Sequence, residues 1–199
     1  MNTHATTEEA HAVTSTSRMV GEAEHPRREG DEVLMRLLAL DLGLHCGWAL
    51  FEGERRIASG VWHLGKDKTR DRGDEFLLRV QSFVSSHGVA VVAHEHVAAL
   101  LQHVSADAAH LFGGWLTLLA MTARRTGARL HRVETPAVYR ASGVKRATAR
   151  EFRDKAKRRE ENKRRVVEAA RRRGWEVADD NEADACFVAL AALAEREGR

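Results

Sequence analysis

Four carboxylates stand where a charge needs an explanation. Asp41 ends the apolar run Leu37–Leu40, within Leu-Ala-Leu-Asp-Leu-Gly-Leu-His-Cys-Gly-Trp. Glu95 closes Val-Ala-Val-Val-Ala-His-Glu in the same way. Asp180 and Asp184 belong to Asp179-Asp180-Asn181-Glu182-Ala183-Asp184, which opens the apolar stretch Ala-Cys-Phe-Val-Ala-Leu-Ala-Ala-Leu. A carboxylate beside buried apolar surface is costly unless a cation or hydrogen bonds compensate it. Hard divalent cations bind such oxygens, and two of them about 3.5–4 Å apart can activate water and stabilise the leaving oxygen of a phosphodiester. Each acid also has a plainer reading. Asp41 can bond its own turn, and Glu95 can be the first solvated residue of its segment. Asn181 can cap a helix whose first-turn acids favour the dipole.

The neighbours sharpen the chemistry. Gly43 is expected to turn the backbone with positive φ and to leave room beside Asp41. His45 lies near enough to orient a water. His94 and His96, alternating with Glu95 along a strand, should point to the opposite face as core or supporting residues. Between Arg153 and Arg173, eleven Lys or Arg oppose four acids, a local excess of +7 in a chain whose net charge is +3. A basic element on a mildly acidic body suits a polyanion held on one face, or else a solvated helix laced with i,i+4 ion pairs.

These groups need elements to carry them. Leu37–Asp41, Trp48–Phe51 and Ile57–Leu64 read as three strands joined by tight turns, an antiparallel meander. Arg70–His87 carries Phe76, Leu77, Val80, Phe83 and Val84 at helical spacing and stops at Gly88. Val89–His96 reads as a strand buried on both faces. Ser105–Arg125 is a long helix ended by Gly127, and Arg129–Val133 is a fifth strand. Thr135-Pro136 supplies an N-cap and N1 pair for a short helix. Gly143–Ala147 is a loop, a basic helical region runs to Arg173, and Asn181–Glu195 forms the last helix. The expected class is α/β, with a mixed five-stranded sheet of three antiparallel and then two parallel strands flanked by helices.

With these residues in place, the chain resembles the RuvC group of Holliday junction resolvases, and its phage-type members in particular. Leu-Asp-Leu-Gly-Leu-His-Cys-Gly-Trp is similar to their first motif, and Val-Val-Ala-His-Glu to the second. Asn-Glu-Ala-Asp-Ala-Cys-Phe-Val-Ala-Leu is similar to the last motif, with Ser142-Gly143-Val144-Lys145 and Lys163–Val167 ahead of it. The likeness runs from about Leu37 to Leu193. It implies a ribonuclease H-like fold, two Mg²⁺ or Mn²⁺ ions, a homodimer, and paired nicks across four-way DNA junctions. Asp41, Glu95 and Asp184 carry over onto the metal ligands. The fourth ligand falls on Asp180 by a spacing of four, with Glu182 the lesser choice. Bacterial members place theirs three residues before the last Asp, where this chain has Asn181. Lys145, Arg146, Lys163 and Arg164 are candidate phosphate contacts, and Gly113-Gly114 before Trp115 suits either close helix packing between two subunits or local packing within one.

Composition bounds the rest. The 199 residues, 43% hydrophobic, suit one domain over 33–199 after a polar arm, 1–32, expected to be disordered. Two distant cysteines, Cys46 and Cys186, form no zinc or disulfide framework, so a reducing cytoplasm of a bacterial or phage-infected cell is expected. No apolar run is long enough to span a bilayer. Three rivals remain: a related ribonuclease H-like nuclease acting on structured RNA or flap and fork DNA, a non-catalytic branched-DNA binder, and a sugar-kinase-like ATPase. The last needs a second domain and phosphate loop, which Asp71-Arg72-Gly73 does not supply.

Overall fold

The computed structural model describes residues 34–65, 71–96 and 106–197; the expected arm over 1–32 lies outside the described residues. Its elements are β1 (Arg36–Asp41), β2 (His45–Glu52), β3 (Arg55–His63), α1 (Arg72–His87), β4 (Val91–His96) and α2 (Ala106–Thr126). They continue as β5 (Arg129–Glu134), α3 (Thr135–Ser142), α4 (Lys155–Arg172) and α5 (Asp180–Glu197). The five strands lie in the order β3-β2-β1-β4-β5. β1, β2 and β3 pair antiparallel, and β4 and β5 continue from β1 in parallel. The expected mixed sheet is therefore the observed one.

Strand alternation divides the core in two. Leu38 and Leu40 of β1 and Val92 of β4 face Phe76, Val80 and Val84 of α1 and Trp115 and Leu119 of α2. Leu37, Ala39, Val91, Ala93 and Val133 face the other way, against Ala185, Val188 and Ala192 of α5 and Val166 of α4. A two-residue period then puts Asp41 and Glu95 on the α5 side of the sheet. Phe187 is fully buried there, so Phe187→Ala is expected to cost about 3–5 kcal/mol. No described helix is long and apolar enough to cross a membrane.

Several boundaries move for local reasons. The basic helix begins only at Lys155, because the Asp154 carboxylate accepts from Ala156 N at 2.7 Å and caps it. Thr135 is already helical and its hydroxyl donates to His96 O at 3.1 Å, so it ties α3 to the end of β4 instead of capping it; Glu134 holds the cap position. The cap of α5 is Asp179, not Asn181: its Oδ1 accepts from Glu182 N at 3.0 Å.

The glycine that makes room beside Asp41 is Gly47 and not, as expected, Gly43. Gly43 does not adopt positive φ. Gly47 is the position that only glycine fits, since a Cβ there would lie 1.9 Å from Asn181 O. Asp41 pairs with Gly47 across β1 and β2, so this bare strand position lets the start of α5 settle directly beside Asp41.

Candidate active site

Three elements deliver the four acids to one place. β1 and β4 run parallel and side by side, so Asp41 and Glu95 leave the sheet at the same edge and on the same face. α5 crosses that face from its N-terminus at Gly47, bringing Asp180 and Asp184 down on the strand ends. Each acid is only partly exposed.

Their electrostatics show the convergence. The Asp41 carboxyl is pushed up to about 7, first by burial, then by Glu95, Asp180 and Asp179, with Lys163 opposing. Asp184 is held well above the ordinary carboxylate range by burial and then by Asp41, Glu95 and Asp180, again opposed by Lys163. Burial, and after it repulsion among carboxylates from residues far apart in the chain, favours the protonated forms of Asp41 and Asp184. One cation already answers them: Lys163 Nζ reaches from α4 to Asp180 Oδ2 at 2.6 Å.

The donors are hard oxygens facing a site short of positive charge, which is the chemistry that a divalent cation satisfies. The set is not drawn together to coordination distance: no three His, Cys, Asp or Glu side chains among the described residues stand ready to hold a metal ion. The residues thus fit such an ion by donor type and by uncompensated charge.

Other candidates for the fourth ligand are engaged elsewhere. Glu182 is buried, accepting from Ser59 Oγ at 2.6 Å and Ala178 N at 2.8 Å, and so braces β3 against the α5 start. Asn181 Nδ2 donates to Asp179 Oδ2 at 3.0 Å. His94 points into the opposite core, as its alternation with Glu95 requires, and burial holds its pKa down.

The basic candidates divide. Lys163 belongs to the acidic cluster. Lys145 and Arg146 are exposed on the loop after α3, and the Arg146 guanidinium lies 4.2 Å from the centroid of the Tyr139 ring. Arg164 is occupied: it bridges Glu161 at 2.7 Å and also pairs with Glu168. Arg165 next to it pairs with both Glu161 and Glu151 at 2.8 Å. The ion-paired reading of the basic helix is correct for that part of α4.

Tyr139 is a site residue that spacing arguments missed. Burial raises its phenol pKa, Arg146 opposes the shift, and both Asp184 and Glu95 add to it, which places the ring on the rim of the acidic cluster. The available signal was its singularity, as it is the one tyrosine of the chain. At Gly113 and Gly114 a Cβ would meet nothing within 4 Å, so packing among the described residues does not explain them.

No family profile matches the sequence, and no curated protein matches it significantly. Solved structures do match. RuvC of T. thermophilus in complex with Holliday junction substrate aligns with a TM-score of 0.61 at 18% identity, over 82% of this chain and 96% of that one. A second Thermus thermophilus RuvC structure aligns with a TM-score of 0.56 at 19% identity, over 82% and 97%. Likeness at these identities establishes architecture: the chain has the ribonuclease H-like fold in the form seen in RuvC.

Proposed function

We propose that the chain is a metal-dependent endonuclease that cuts branched DNA, resolving four-way junctions by paired nicks as a homodimer. The observation that carries this reading is the gathering of Asp41, Glu95, Asp180 and Asp184 from two neighbouring strand ends and one helix start, with Asp41 and Asp184 buried among the other acids. These residues would hold two Mg²⁺ or Mn²⁺ ions. Such ions, when bound, supply an activated water and stabilise the leaving oxygen of a phosphodiester. The RuvC structure solved with Holliday junction substrate supports the choice of substrate.

The chain's own groups divide the remaining work. Asp41, protonated up to about pH 7 without a cation, gives up its proton as the site fills. Lys163 relieves part of the repulsion and, released from Asp180, becomes a phosphate contact. Tyr139 and Arg146 border Glu95 and Asp184, where a hydroxyl and a guanidinium can hold a phosphate oxygen. Lys145 and Arg164 extend the basic rim, so binding weakens steeply with salt. Phosphate contacts fix position without reading bases, leaving junction shape and dimer geometry to select the substrate.

The test is a labelled four-way junction incubated with and without Mg²⁺, using wild type and Asp41→Asn. Wild type cuts only with the cation, and Asp41→Asn binds the junction without cutting it. Cleavage without metal, or full activity in the variant, overturns the mechanism. Preferential cutting of structured RNA keeps the chemistry and replaces the substrate.

A further inference from the structure

His45 and His63 lie outside the acidic cluster and are not used by the proposed reaction. They are directly opposed across β2 and β3, the last pair of that ladder before the sheet ends. Both are exposed, yet their Nδ1 atoms are only 2.8 Å apart, and their rings meet edge to face at 76°. The ladder and a Leu64 N–H to Leu44 O bond of 2.8 Å fix the two backbones at this point.

A hydrogen bond between exposed side chains contributes little in water. Two imidazoles facing each other on a rigid strand pair are, however, a partly preorganised chelate, because the sheet already fixes both backbones and leaves only the side-chain torsions to be ordered. Neutral imidazole nitrogens suit borderline divalent cations, and Cu²⁺ stands highest among these in affinity.

The surroundings carry charge of both signs. His45 shares a sheet face with Gly47, the face on which the α5 start rests. His63 lines a groove of about 1010 Å³ that also holds the carboxylates of Glu176, Asp179 and Glu182 and the guanidinium groups of Arg56 and Arg171.

We propose that His45 and His63 form a second metal site, a two-nitrogen chelate for a borderline divalent cation of the Cu²⁺ or Ni²⁺ type. It differs in donor chemistry from the oxygen-lined cluster and does not depend on the nuclease reading.

The probe is copper(II)–iminodiacetate, whose organic ligand leaves adjacent coordination positions open for a pair of nitrogens. The full chain has 11 histidines, so binding is compared among wild type, His45→Gln and His63→Gln. Both substitutions are at exposed positions, and circular dichroism verifies the fold. Wild type is expected to bind one equivalent more than either variant. The paramagnetic resonance spectrum of that equivalent shows coupling to two imidazole nitrogens. Its affinity falls on acidification with the dependence of two displaced protons, because both rings must be neutral to bind. Equal stoichiometry in all three proteins, or coupling to a single nitrogen, overturns the proposal.

Discussion

The acidic cluster and the outer face of α4 are both dense in charge, and they treat it in opposite ways. On α4, Arg164 and Arg165 pair with Glu161, Glu168 and Glu151, at helical spacings or across to the preceding loop. Where α5 starts over the ends of β1 and β4, four carboxylates have one partly exposed lysine, Lys163, as their cation among the described residues. The first arrangement is satisfied within the fold. The second is left unsatisfied, at a cost in stability that a folded chain tolerates where a ligand will supply the missing charge. Charge density alone therefore does not mark the site; lack of compensation does.

The severest challenge to this contrast is to neutralise one acid. Asp41→Asn should reduce junction cleavage on the order of 10³-fold or more while leaving junction binding intact. The same substitution should raise the thermal midpoint of the metal-free protein at pH 8 by a few degrees, as one buried repulsion disappears. Loss of activity together with loss of stability would place Asp41 in ordinary scaffolding.

The next largest effect is on stability against pH. In the folded protein the Asp41 pKa stands at about 7, well above that of a carboxylate in water. A raised carboxylate gives a stability contribution that is complete below the unfolded value and lost as pH climbs through the folded one. Metal-free protein should therefore lose on the order of 1–3 kcal/mol between pH 4 and pH 8 from this group. Mg²⁺ should restore part of that loss in wild type but much less in Asp41→Asn. Chemical denaturation across pH, with and without Mg²⁺, measures both.

Smaller effects test the rim. Tyr139→Phe keeps the ring under Arg146 but removes the hydroxyl, so kcat should drop by about tenfold with KM nearly unchanged, the loss of one hydrogen bond to a charged group. Smallest are the changes in salt dependence. Arg146→Ala should lower the log–log salt slope of junction binding by about 1. Arg164→Ala should lower it less, because its guanidinium is held by Glu161 and Glu168, and should leave the thermal midpoint unmoved. Equal slopes for the two variants would mean that the paired helix face releases its charges to DNA.

Much of this was legible in the residues. Apolar runs ending in Asp41 and Glu95, with turn residues between segments, specify strand ends, and the order of segments limits the sheet to few topologies. The phase of alternation placed His94 opposite Glu95, and His94 is buried in register with Leu40, whose side chain belongs to the core on that other face. Three features were not legible. Glu182 and Asp180 are two residues apart and chemically alike, yet one braces Ser59 and the other meets Lys163, because helix rotation about the Gly47 contact sends them to different neighbours. Arg164 looked as available as Lys163, but its position on α4 turns it toward glutamates. Tyr139 carries no spacing signature at all; it reaches the cluster because α3 is tied to the end of β4 by Thr135 and packs through Ala137 and Val138 against α5.

Local periodicity and solvation act over a few residues, so the order of amino acids was enough to say which segments become strands and helices. It was also enough to put charged oxygens at the ends of the buried ones. Which charges face one another is instead a matter of packing between distant segments. That outcome depends on how α4 and α5 are rotated on the sheet, and a contact such as Gly47 against Asn181 joins parts of the chain more than a hundred residues apart.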